Sequence, residues 1–310
     1  MTPDTFETDL KALRDLLQQA LMLELTTIPP YATACYSILQ QGQYDRSEPV
    51  IVNAEPIEVI RQVMVEEMLH MTLVANVLNA VDGAPVLTAN PPTYPATLLH
   101  GRGPTVGLRR FTPEQVKVFR KIETAPDGDH GEDYHTIGGF YRCVRKKMDE
   151  LCTAYGPERV FTGDEARQIG PDEYYGAGGH VIEIRGTPQQ RRDRALEAIR
   201  EIMEEGEGAD SGGRAGDNDP IPGPERPDRG LVEDIAHFFK FNEILQSRYY
   251  RAEDTDVPTG SDLAVDWSAV SPMIDDPAEA LYADHPDIAA LSARFNGTWS
   301  LLLRELDRAF

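Results

Sequence analysis

EEMLHMTLVANVLNAVDG, residues 66–83, reads as the second half of a long amphipathic helix. The helix opens at Glu55-Pro56, where proline suits a first turn, and stops at Asp82-Gly83. Ile60, Met64, Met71, Val74, Leu78 and Val81 form its stripe, and Val59, Val63, Leu69 and Leu73 widen it, so the helix belongs at the centre of the fold. Two groups break the apolar pattern. Glu67 and His70 stand three residues apart, a spacing that stacks both on one helix face. A buried Glu–His hydrogen bond explains a single such pair, and Glu66, four before His70, is a second acid that fits the stripe less well.

The neighbouring helices repeat the anomaly. Helix 1 spans about Phe6 to Thr27 on Leu10, Leu13, Leu17, Leu21 and Ile28, and Pro29-Pro30 stops or kinks it before a shorter piece from Tyr31 to Gln40. Glu24 falls on that stripe. A lone carboxylate there is costly unless it is paired or binds a metal, or unless the helix turns enough to let it reach water. Thr187-Pro188 opens a helix to about Gly206 with Ala195, Ile199, Ile202 and Met203 inward, and its end, EIMEEGEG, offers Glu204, Glu205 and Glu207. Leu231 to Arg251 is read as a helix carrying Asp234 and His237, again three apart. The order Glu, Glu-x-x-His, Glu, Asp-x-x-His along four helices is the build of di-iron and di-manganese carboxylate bundles.

The remaining segments fit around these four. Thr112-Pro113 caps a helix to about Thr124, and Thr136 to Tyr155 is a further helix with Ile137, Phe140, Tyr141, Val144, Met148 and Leu151 on one side. Val181 to Ile184 reads as a short strand, and Glu207 to Arg229 as a Gly-, Pro- and Asp-rich linker. Ile288 to Phe310 is a last amphipathic helix. The class is mainly α: a single domain, 1–310, with bundle helices at about 6–27, 55–82, 188–207 and 231–251. An insert covers 84–187 and a C-terminal extension 252–310.

Charge narrows the partners. The 310 residues carry 52 Asp and Glu against 30 Lys and Arg, a net charge of −22. Phosphate backbones and anionic lipid surfaces are held by basic patches, so neither nucleic acid nor a membrane is an expected partner. No apolar run reaches the 18 residues of a membrane span, and no basic start followed by an apolar run marks a signal peptide. Cys35, Cys143 and Cys152 lack metal-finger spacing and read as reduced thiols of a cytoplasmic protein.

Five blocks then resemble, in order, a known group: ELTTIPPYATACYSI (24–38), EEMLHMTLVANVLNAVDG (66–83), TIGGFYRCV (136–144), EEGEG (204–208) and AHFFKF (236–241). They are similar to the ferritin-like domain of the violacein-pathway iminophenyl-pyruvate dimer synthase and of stand-alone bacterial relatives, over about residues 10–250. The resemblance implies a ferritin-like four-helix bundle with a carboxylate-bridged metal pair, iron or else manganese, on Glu24, Glu67, His70, Glu207 and His237. Asp234 stands where relatives tend to have Glu, and Glu205, an alternative ligand, where they tend to have Gln. The expected function is an O2-dependent oxidoreductase acting on a small amine- or amino-acid-derived metabolite of secondary metabolism. O2 and that small molecule are its partners, and a homodimer is a compatible assembly. His135, Tyr141 and Tyr31 are candidate substrate contacts. Iron storage or metal buffering without a substrate, and a metal-free interaction bundle, are the alternatives.

Overall fold

The computed structural model describes residues 5–39, 53–124, 134–174, 181–207, 235–251 and 254–310. Helices α1 (Thr5–Ser37) and α2 (Ala54–Ala80) open the chain and pack along one another. A two-stranded antiparallel pair follows, β1 (Ala96–Thr97) on β2 (Thr105–Val106), joined through the one-turn α3 (Leu98–Gly101). Then come α4 (Pro113–Ile122), α5 (Ile137–Tyr155), the one-turn α6 (Pro157–Val160), α7 (Pro188–Glu207), α8 (His237–Gln246) and α9 (Pro286–Ala309). The molecule is a helical bundle. None of the described helices is long and apolar enough to cross a membrane.

The stripe of α1 is buried as its spacing predicts: Leu10, Leu13, Leu17, Leu21 and Ile28 all face the core. The helix, however, does not stop at Pro29-Pro30 but runs on to Ser37. The two prolines remove the N–H groups that would bond to the carbonyls of Leu25 and Thr26. Tyr94 repairs one loss, its hydroxyl donating to the Thr26 carbonyl at 2.9 Å. Burial of Tyr31, Ala34 and Cys35 holds the turns beyond. In α2 every residue from Leu69 to Ala80 is buried, which makes it the central helix.

Membership of the bundle differs from the sequence expectation. α1 packs on α2 and α5, and α7 packs on the same two, so α5 closes the four-helix ring from inside the stretch read as an insert. The helix expected at 231–251 is the shorter α8, which packs mainly on α4 and also against α2 and α7. α4 and α5 start where Thr112 and Thr136 cap them, each hydroxyl accepting a backbone N–H at 3.1 Å, from Gln115 and Gly139. Val181 to Ile184 forms no strand. Its backbone is held by side chains instead: Asn76 donates to the Ile182 carbonyl at 3.1 Å, and Gln168 accepts from Ile184 N–H at 2.7 Å. Gly163 lets its loop lie against the end of α2, since a Cβ there would sit 1.8 Å from the Asn79 carbonyl oxygen.

Candidate metal centre

The bundle brings two sets of ligand-type atoms together in its interior. Glu24, Glu67 and His70 form one, and Glu67, Glu123 and His237 the other; within each, ligand atoms lie inside 4.8 Å of one another and every residue is buried. Glu67 is common to both. Glu24 comes from α1, Glu67 and His70 from one face of α2, Glu123 from the end of α4 and His237 from the first position of α8. The two imidazoles stack, with centroids 5.6 Å apart.

The carboxylates are braced by hydroxyls. Tyr141 donates to Glu24 and Tyr31 to Glu123, both through short bonds, and Thr27 donates to Glu67 at 2.6 Å. Each imidazole is held by its Nε2. His70 Nε2 lies 2.9 Å from Glu205, and His237 Nε2 donates to Glu66 at 2.9 Å. Glu66 is held in turn by the buried Lys240, whose Nζ reaches its two oxygens at 2.7 and 2.9 Å. The other nitrogens face the acids. His70 Nδ1 stands 3.7 Å from Glu24 Oε2, and His237 Nδ1 stands 3.1 Å from Glu67 Oε1 and 3.7 Å from Glu123 Oε2. His237 Nδ1 is buried and makes no aligned hydrogen bond.

This donor set fits a metal. Five carboxylates (Glu24, Glu66, Glu67, Glu123 and Glu205) meet one lysine and two histidines. Even with both imidazoles protonated, negative charge is in excess by two. Burial keeps that charge from water, so cations must offset it. Protons do so in the metal-free protein. Burial, then the charge of Glu24, raises the Glu67 carboxyl; burial, then Glu67, raises Glu123. Burial opposes the charged form of His70, but Glu205 and Glu24 outweigh it and push its pKa up to about 10. His237 is likewise raised well above its ordinary value, burial being outweighed by Glu123, Glu66 and Glu67. Burial alone would raise Glu66, yet Lys240 and His237 hold it well below the carboxylate range. Burial and then Glu123 drive the Tyr31 phenol far up. Each Nδ1 that faces the acids is then the free ligand position of an imidazole fixed at its far nitrogen, which is how protein ligands are usually presented to a metal.

Four residues singled out in the sequence (Glu24, Glu67, His70 and His237) meet here. Glu205 stands beside them as the partner of His70. Tyr31 and Tyr141 also lie here, their hydroxyls engaged by carboxylates of the cluster. His135 is exposed just ahead of α5. The Glu207 side chain and Asp234 lie outside the described residues. The helix expected from Leu231 is shorter where it is described: α8 begins at His237, and Ile235 and Ala236 before it are not helical. Glu123, Lys240 and the bracing role of Glu66 escaped the sequence reading. The signal for Glu123 was present, four residues after Phe119 and seven after Val116, an acid on an apolar stripe like Glu24.

Fold and site together define a helical bundle with buried carboxylate and imidazole clusters. The chain matches the family model described as Ferritin-like over residues 17–246 and belongs to that family. Ferritin-like domains typically bind metal, and the Glu and His clusters that could hold an ion are in place. The fold is similar to that of a solved ferritin-like protein from Caulobacter vibrioides, at 22% identity and a TM-score of 0.51, over 76% of this chain and 72% of that one. No curated protein matches.

Proposed function

We propose that the chain holds two metal ions of the iron or manganese class and uses them, with O2, to oxidise a small amine- or amino-acid-derived molecule. The observation that carries this is the sharing of Glu67 by two buried triads, each completed by a carboxylate and an imidazole. Carboxylate-rich sets with imidazole favour iron or manganese, which when bound supply redox chemistry towards O2. The likeness of five sequence blocks to the iminophenyl-pyruvate dimer synthase domain supports the substrate class and secondary metabolism, and the free Cys35, Cys143 and Cys152 support a cytoplasmic setting. Glu207 and Asp234 are carried in the proposed ligand set on their sequence positions alone.

The chain's own residues prepare the site. Glu66 and Lys240 fix His237 with Nδ1 inward, and Glu205 does the same for His70. Tyr31 and Tyr141 orient Glu123 and Glu24. Tyr31, Phe119 and Phe241 pack against each other, at 4.7 Å between Tyr31 and Phe119 and 5.4 Å from each to Phe241, and form a dry wall beside Glu123. Metal analysis of protein produced with iron tests the reading: about two ions per chain are expected, and under half an ion per chain sinks it. O2 consumption by the loaded protein over a panel of amines and aromatic amino acids tests the oxidase assignment.

A further inference from the structure

A cavity of about 650 Å³ lies between α1 and residues 90–100. Met22 and Leu23 of α1, Phe140 of α5, Tyr134, Pro92 and Leu98 are among its walls. None of its described lining residues is Asp, Glu, Lys or Arg, although these make up 26% of the chain. Freedom from charge is not the habit of this surface. A cavity against α4 and α8 is lined by Lys117, Arg120, Lys121 and Asp256. An ion entering the first cavity would give up water and meet no countercharge, so the lining selects an uncharged ligand. The walls select a flat one. Tyr134 and Phe140 meet edge to face with centroids 5.1 Å apart, and a methionine beside them adds a sulfur that packs well on aromatic rings. The volume is that of a small-molecule site.

Polar groups are few and gather at the rim. Leu99 and His100 stand in succession in the left-handed region, at φ 52° and 55°, which residues with side chains rarely adopt. The turn sets His100 against α1, where its Nε2 donates to Gln19 Oε1 at 2.8 Å. His100 is exposed while Leu98 and Leu99 are buried, so the imidazole marks the rim and the leucines the interior. Among the described residues, the Gln19 amide N–H groups and His100 Nδ1 have no partner, and they are left to meet a polar edge of a ligand.

The cavity also adjoins the metal cluster. Leu23, Thr26 and Phe140 line it, and the residue after each is part of the centre: Glu24 is a candidate ligand, Thr27 braces Glu67 and Tyr141 braces Glu24. One step along a helix turns the side chain by about 100°. The cavity and the first triad therefore lie on adjacent faces of α1 and α5.

We propose that this cavity binds an uncharged, nitrogen-bearing aromatic molecule of the indole class, with its ring against Met22, Tyr134 and Phe140 and its polar edge at Gln19 and His100. As the seat of the substrate's ring it rests on the function proposed above; as a binding site it does not. Ligand-observed NMR on the metal-free full chain tests it with indole, tryptamine and indole-3-acetate, one ring in neutral, cationic and anionic form. Indole should bind saturably at one site, and the two charged probes about tenfold more weakly or worse. Thr93 is exposed and lines the cavity, so Thr93→Trp should fill it and weaken indole about tenfold. Gln19→Leu, on the other wall, should weaken indole about threefold. Both variants should keep the far-ultraviolet spectrum and metal count of the native chain, which separates a lost site from a lost fold. Absence of indole binding, equal binding of the charged probes, or binding indifferent to both variants overturns the proposal. Metal content read on the same preparations keeps the two readings apart. A chain that binds indole but takes up under half an ion refutes the oxidation and leaves the site standing, whereas one that takes up two ions and binds no indole refutes the site alone.

Discussion

The two triads share Glu67 but hold their imidazoles differently. At the first, His70 leans on the carboxylate of Glu205. At the second, His237 leans on Glu66, and Glu66 is locked by the buried Lys240, so a three-member charged chain runs from the bundle interior to the ligand position. The two bracing carboxylates are almost equally buried, at 12 and 11% exposed, and what sets the second apart is the buried lysine locked to it. A buried charge is tolerated only while its partner is present, so the second position should be the more rigid and the more easily ruined.

The comparison breaks most completely at its shared member. Glu67→Ala should take the metal content from two ions per chain to none, measured by elemental analysis of iron-loaded protein; loss of only one ion would show that the two positions do not both depend on Glu67. Single truncations should then separate the two positions. Glu123→Ala and Glu24→Ala are each expected to lower the count from two to one, and retention of two by Glu123→Ala would remove the α4 acid from the ligand set.

Stability gives the next contrast. Lys240→Met leaves Glu66 buried with its main countercharge gone, and a one-sided break of a buried pair costs about 3–5 kcal/mol. The double variant Glu66→Leu with Lys240→Met should recover part of that loss in denaturant titrations. Glu205→Ala leaves the Nε2 of His70 short of its partner, at a cost of about 1–3 kcal/mol. Equal costs at Lys240 and Glu205 would erase the distinction that the buried lysine makes between the two positions.

The gentlest probe is pH. His70 in the folded, metal-free chain is raised from an ordinary 6.5 to about 10, so its contribution is fully present below pH 6.5 and lost as pH climbs towards 10. The raised carboxyls of Glu67 and Glu123 and the raised His237 act in the same direction, because the folded state binds more protons than the unfolded one. The Tm of metal-free protein should therefore fall with rising pH across this window. Loading metal should release protons and flatten the fall, which calorimetry in buffers of different ionisation enthalpy reads directly. A metal-free Tm that rises over that range would contradict the assignment of protonated imidazoles.

Sequence by itself determined the helices and the anomalous groups on their stripes. Period is local, so an acid that recurs with an apolar stripe, as Glu24 and Glu67 do, betrays its burial before any fold is known. His70 follows from the same face of the same helix. Only the tertiary structure decided which faces meet. α5 closes the ring because it lies between α1 and α7, and α4 carries Glu123 to the centre because it packs on α8. α1 passes its two prolines because Tyr94, far along the chain, supplies a lost hydrogen bond. Lys240 and Glu66 look in sequence like a solvated lysine and a misplaced acid. Their meaning lies in a salt bridge across 174 positions, and a contact of that range leaves no period for a sequence to show.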